Sequence, residues 1–199
     1  MTADWHFNHE GILAFERGTF GTIEDHNSTI IQNYNSRMKE DDTCYVLGDI
    51  GFGSERDLTA LVKKLRGKKI LVMGNHDRLP TDAYLRMGFV EVHRGPIYYD
   101  ENNGVGAPAG RIILSHEPVR EALDNPYVIN IHGHLHNADL DLPNFFNVNV
   151  ARTDYYPVPL HWFVDETLHL TKGRAERIGH EWYWGHYRWD PGKAPEIIS

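Results

Sequence analysis

The chain has 199 residues, of which 28 are Asp or Glu and 20 are Lys or Arg, giving a formal net charge of -8 at pH 7. An acidic balance excludes a broad nucleic-acid-binding face, because non-specific affinity for polyanions comes from clustered Lys and Arg. The length suits one domain over 1–199, the single cysteine excludes an internal disulfide, and no apolar run is long enough to span a bilayer.

Met1-Thr2-Ala3 reads as a very short first strand ending in Asp4-Trp5-His6, without the basic-then-apolar pattern of a secretory signal, so a cytoplasmic protein is expected. A loop containing Asn8, His9, Arg17 and Phe20 follows. From Thr22 to Met38 the residues Ile23, Ile30, Ile31, Tyr34 and Met38 recur mostly at helical spacing, which predicts a helix packed on a sheet. Thr43 to Leu47 reads as the next strand, with Cys44 a buried and inert thiol, and it runs into Gly48-Asp49-Ile50-Gly51. Ser54 with Asp57 makes a capping pattern for a helix whose buried stripe is Leu58, Leu61, Val62 and Leu65.

The run Lys69-Ile70-Leu71-Val72-Met73 predicts a buried strand that delivers Gly74-Asn75-His76-Asp77 to its carboxyl end, where open α/β sheets place their chemistry. Asn offers a neutral oxygen ligand, His a nitrogen base or acid, and Asp a carboxylate, a set suited to metal binding and proton transfer. A short helix over Thr81–Met87, strands over Phe89–His93 and Pro96–Tyr99, and a loop over 100–110 come next. Arg111–Leu114 leads into Ser115-His116-Glu117, Tyr127–Ile131 leads into Gly133-His134-Leu135-His136, and Phe145–Val150 reads as a further strand. Alternation at these lengths predicts βαβ units and an α/β fold with two sheets layered between helices. From about 173 an aromatic-rich extension holds Trp182, Tyr183, Trp184, Tyr187 and Trp189. Its rings are expected to cover a core edge or to form a subunit contact in a homo-oligomer. His93, His161, His169, His180 and His186 lie outside any ligand-like context and read as surface or capping residues.

The series D-x-H at Asp4, G-D-x-G at Gly48, G-N-H-D at Gly74, a single His at His116 and G-H-x-H at Gly133 resembles the signature set of the calcineurin-like metallophosphoesterases. The resemblance is to the small bacterial and phage type and runs from Asp4 to about Asn149. It implies a two-sheet β-sandwich flanked by helices in four layers. It also implies that Asp4, His6 and His136 hold one metal ion, that Asn75, His116 and His134 hold a second, and that Asp49 bridges the two. Two divalent ions bring four positive charges and Asp4 and Asp49 return two, so the pocket would stay cationic toward phosphate. Mn²⁺ is the expected activator, with Zn²⁺ and Fe²⁺ also suited to carboxylate, amide and imidazole ligands without thiolate.

Hydrolysis would proceed by attack of a metal-bridging hydroxide on phosphorus. His76, the imidazole left after the ligands are assigned, would be the general acid. Asp77 either orients that ring or caps the following turn. His9 and Arg17 could meet substrate phosphate, although Arg17 suits a surface carboxylate equally well. The activity expected from the resemblance is a phosphodiesterase on a small or nucleotide-type substrate. A phosphomonoesterase or a nuclease would use the same frame, and a non-catalytic protein-binding scaffold would be expected to have eroded ligands.

Overall fold

The computed structural model describes residues 1–15, 19–99, 111–125, 128–138, 140–142, 144–160 and 163, together with the backbone of strands at 176–178, 181–184, 187–189 and 196–197. The fold is mixed α/β. A first sheet contains β1 (Thr43–Val46), β2 (Lys68–Val72) and β3 (Phe89–His93), all parallel and in that order. A second contains β4 (Ile97–Tyr99), β5 (Arg111–Leu114), β6 (Val128–His132) and β7 (Phe145–Asn147), with β4 antiparallel to β5 and the rest parallel. The helices are α1 (Ile12–Phe15), α2 (Ile23–Arg37), α3 (Glu55–Val62), α4 (Thr81–Met87) and α5 (Arg120–Asp124). In the aromatic-rich extension β8 (Glu176–Ile178), β9 (Glu181–Trp184), β10 (Tyr187–Trp189) and β11 (Glu196–Ile197) pair antiparallel. The rings expected there to cover a core edge lie outside the described side chains.

Side chains alternate across each strand, so both faces of the two sheets can be buried. Cys44 and Val46 of β1 pack with Ile30 and Tyr34 of α2, Leu58 and Val62 of α3, and Met87 of α4. Their neighbour Leu47, with Val72 at the end of β2, instead meets Ile112, Leu114, Ile129 and Ile131 of the second sheet. The other face of that sheet places Ile113, Val128 and Phe145 against Ala122 of α5. Local chemistry sets the helix starts: Thr22 Oγ1 accepts from Asp25 N–H at 3.1 Å, and Ser54 Oγ accepts from Asp57 N–H at 3.2 Å. Among the described residues no helix is long and apolar enough to cross a membrane.

The first strand expected at Met1-Thr2-Ala3 is reduced to two bridging residues, each committed to a different sheet. Thr2 donates to Tyr45 O at 3.1 Å and accepts from Leu47 N–H at 2.8 Å. Ala3 donates to Val148 O and accepts from Val150 N–H, both at 3.1 Å. That pairing also corrects the strand expected over Phe145–Val150, which ends at Asn147. Val148 N–H is the last donor to β6, through His132 O at 2.8 Å. Asn149 then turns to Ala3 and caps a 3-10 turn over Val150–Arg152 by accepting from Ala151 N–H at 2.9 Å.

Leu71 is fully buried between α2, α3 and α4, whereas Leu85 is 43% exposed. Leu71→Ala should therefore cost about 2–5 kcal/mol of folding stability, and Leu85→Ala about 0.5 kcal/mol or less. Urea unfolding of the two variants measures this, and equal costs would contradict the packing.

Candidate metal centre

Five polar segments meet where strands of both sheets end. Gly48-Asp49 follows β1, Gly74 to Asp77 follows β2, His116 follows β5, and Gly133 to His136 follows β6, while the bridging N-terminal segment brings Asp4 and His6. Strand ends in open α/β sheets form such crevices because the turns leave them uncovered. Five of the seven predicted ligands take left-handed backbone angles: Asp4 (φ 58°), His6 (45°), Asp49 (54°), His134 (66°) and His136 (48°). Each such residue costs about 1–2 kcal/mol, and strain of this kind gathers at functional sites. Bare backbone lets the loops close: a Cβ at Gly74 would strike the Asp49 carboxylate, and one at Gly133 would strike that of Asp4.

All seven predicted ligands lie in one cluster. His116 Nδ1 is 2.9 Å from Leu47 O, and since a carbonyl only accepts, that nitrogen carries the proton. The other nitrogen of the ring, Nε2, faces Asn75 Oδ1, 2.8 Å away, and His134 Nδ1, 3.2 Å away. His134 Nδ1 is itself 3.0 Å from Asn75 Oδ1, so three atoms able to act as metal ligands face one point. A proton satisfies one of these contacts, while a cation satisfies all three together.

Asp49 stands beside this triangle. Its Oδ1 accepts from His76 N–H at 2.9 Å, and its Oδ2 lies 3.5 Å from His116 Nε2 and 3.8 Å from His6 Nε2. Asp4 accepts from His134 N–H at 3.1 and 3.0 Å through its two oxygens. Asp4, Asp49 and His116 are buried, with ligand atoms all within 4.8 Å of one another, and this group could hold a metal ion. Among the described residues the ion pairs reaching Asp4 and Asp49 come from His6 and His116, not from Lys or Arg. Burial and the Asp49 charge push the Asp4 carboxyl well above the usual carboxylate range, partly offset by the His134 N–H.

His6 is a further buried group without a hydrogen-bond partner of its own. Both of its ring nitrogens are buried without a hydrogen-bond partner, an arrangement that costs free energy unless a ligand takes a lone pair. Burial, then the neighbouring imidazoles of His136, His9, His76 and His116, push its pKa down to about 2. The His136 ring stacks on it with centroids 5.1 Å apart, and Asn147 Nδ2 fixes the His136 loop by donating to His136 O at 2.9 Å. The donor set fits a hard or borderline divalent ion.

The remaining candidates divide. His76 is half-buried at the edge of the cluster, with its ring 5.8 Å from that of His6. A direct hold of Asp77 on the His76 ring is corrected: Asp77 Oδ2 accepts from Asp49 and Gly74 N–H, each at 2.8 Å, and Oδ1 accepts from Ile50 N–H at 3.0 Å. That carboxylate is spent on tying two ligand loops together, as a more extensive form of the turn cap. His9 is half-buried and stacks on Phe52 at 4.1 Å. Arg17 lies outside the described residues. Sequence reasoning missed Phe52, although it directly follows Gly51, and missed the Asn8–Asn27 pair, in which Asn27 donates to Asn8 Oδ1 at 2.8 Å and accepts from Asn8 N–H at 3.2 Å.

Fold and site together define a mixed α/β protein with a buried carboxylate and histidine cluster able to hold a metal ion. The chain belongs to the same family as the uncharacterized protein MJ1445 of Methanocaldococcus jannaschii, to which it is 30% identical over 191 residues, covering 89% of this chain and 93% of that one. It is 29% identical over 164 residues to the Gene 66 protein of Mycobacterium phage L5, covering 69% of this chain and 76% of that protein. A crystal structure of the protein of unknown function AQ665 from Aquifex aeolicus is similar with a TM-score of 0.63 at 28% identity, covering 82% of this chain and 96% of that one. No family model matches the chain.

The His6 environment predicts a pH effect in chelator-treated protein. Folded His6 stays neutral, while unfolded His6 takes a proton near its ordinary value of 6.5, so the unfolded state binds more protons below that pH and stability falls as pH drops toward 2. Asp4 acts in the opposite sense, retaining its proton in the folded state above its ordinary value of 3.8. Urea midpoints at pH 7 and pH 5 should therefore fall less for His6→Phe than for the unaltered chain. An equal fall in both would mean that His6 is not held neutral.

Proposed function

We infer that the chain is a dinuclear metal-dependent phosphoric ester hydrolase, acting as a phosphodiesterase on a small or nucleotide-type substrate. The observation that carries this reading is the position of Asp49 Oδ2, between His116 Nε2 at 3.5 Å and His6 Nε2 at 3.8 Å, with Oδ1 already held by a backbone N–H. One carboxylate oxygen is thereby presented to two separate groups of ligands, as a bridge requires. Asp4, His6 and His136 would hold one ion, and Asn75, His116 and His134 the other. The resemblance to calcineurin-like metallophosphoesterases supports the same assignment. The three core clusters, one of helices on the first sheet, one between the sheets and one under α5, support a four-layer sandwich.

When bound, two divalent ions supply Lewis acidity toward a phosphoryl oxygen and lower the pKa of a water for in-line attack. Mn²⁺ suits the site best, since it accepts a mixed oxygen and nitrogen set with room for further oxygen ligands. The chain's own residues supply the rest. His76 donates the proton that the leaving oxygen requires, from a half-buried ring at the cluster edge. Asp77 positions His76 through the backbone, because it fastens Gly74 N–H to the Asp49 loop.

Protein reconstituted with Mn²⁺ should hydrolyse bis-p-nitrophenyl phosphate and carry close to two ions per chain by elemental analysis. Asp49→Asn should reduce both. At most one ion in the Mn²⁺-replete chain, with Asp49→Asn no different, would overturn the dinuclear reading.

His76→Ala should keep the metal content and slow turnover by about 10²–10⁴-fold. The loss should be larger for alkyl esters than for nitrophenyl esters, whose leaving group needs little protonation. A uniform loss across leaving groups would remove the proton-donor role.

A further inference from the structure

The proposed hydrolysis leaves a column of rings beside the cluster without a role. Phe15, the last residue of α1, stacks on His136 with centroids 5.6 Å apart and planes 16° apart. His136 stacks on His6 at 5.1 Å and 13°. His6 faces Phe52 at 6.1 Å and 20°, and Phe52 carries His9 at 4.1 Å and 28°. All but the closer His9–Phe52 pair have separations in the usual range for aromatic pairs, and all four are near parallel. The inner members of the column are buried or half-buried, whereas Phe15 is 65% exposed, more than any other large hydrophobic among the described residues.

An exposed Phe on its own needs no explanation. Phe15 differs in its seat: it lies parallel to the ring of a candidate ligand, and α1 is anchored by Ile12, which is 1% exposed and donates its N–H to His9 O at 2.9 Å. With one face against His136, the 65% exposure of Phe15 implies an open face on the other side of its ring. We propose that this open face is a stacking platform for a planar aromatic ring carried on the phosphate ester, a nucleobase or an aryl group, so that Phe15 sets specificity. The proposal rests on the phosphoesterase reading for the position of the phosphate. A ring on Phe15 would lie two stacking steps from the candidate ligand His136 and three from His6, on the side from which a phosphate ester would reach the cluster. Stacking needs no basic residue, so it suits a chain with a formal charge of -8.

Calorimetry on the full chain loaded with Mn²⁺ tests the platform without turnover. AMP is compared with ribose 5-phosphate for the nucleobase, and phenyl phosphate with methyl phosphate for the aryl group. The unaltered chain should prefer the ring-bearing member of at least one pair, and the pair identifies the ring. Phe15→Ala should reduce that preference by about 5- to 150-fold, the equivalent of one stacked ring, and Phe15→Trp should retain it. Phe15→Leu, which keeps an apolar side chain without a planar face, should behave like Phe15→Ala and separates stacking from loss of cover over His136. Equal binding within both pairs, or a preference that survives in Phe15→Ala or Phe15→Leu, overturns the platform. A Phe15-dependent preference without hydrolysis of any ester keeps the platform and removes the hydrolase, whereas hydrolysis without a preference does the reverse.

Discussion

The arrangement depends on two buried carboxylates and several imidazole lone pairs that are brought together with no Lys or Arg among their ion-pair partners in the described residues. Taking such groups out of water is unfavourable unless they are hydrogen-bonded or neutralised. The backbone does the first part. Asp49 Oδ1 is held by His76 N–H, Asp4 by His134 N–H, and Asp77 by three N–H groups. What the backbone leaves unsatisfied is the set that faces inward: Asp49 Oδ2, the Asn75, His116 and His134 triangle, and the two nitrogens of His6.

Those backbone bonds also cross from loop to loop. The loop after β1 is tied to the loop after β2 through Asp49 and Asp77, and His116 after β5 reaches back to Leu47 at the end of β1. The loop after β6 is tied to the N-terminal segment through Asp4. Ligands from separate strand ends are thus braced against one another, which is how left-handed angles at Asp4, His6, Asp49, His134 and His136 are kept in place. Contacts of this kind are the ones that orient the first-sphere ligands of known metal sites.

Much of this was legible in the sequence where a local rule decides the outcome. The helix at Thr81–Met87 and the strands at Phe89–His93 and Arg111–Leu114 lie where the patterns place them, because apolar runs and breakers there have a single reading. α1 and α5 were not legible, since 4 and 5 residues are too few to show a helical period. The end of β7 was missed because Asn149 changes partner, from β6 to Ala3, and that choice depends on a residue far away in the chain. Asp77 follows the same logic: its type and place signal importance, but the direction of its oxygens is set by the Asp49 loop folding over it. The left-handed angles have no sequence sign at all, since Asp and His occupy conformations for which glycine is the usual mark.

The two bridging residues at the start of the chain have a further consequence, for the order of events during synthesis. Thr2 pairs with Tyr45 and Leu47, but Ala3 waits for Val148 and Val150, which emerge from the ribosome long after it. Asp4 and His6 are therefore translated well before the segment that helps to seat them, and contacts so distant along the chain form slowly. Until the second sheet exists, the protein presents an incomplete set of ligands. A product that stops before Val148 cannot make the Ala3 contacts that hold Asp4 and His6 beside the other loops.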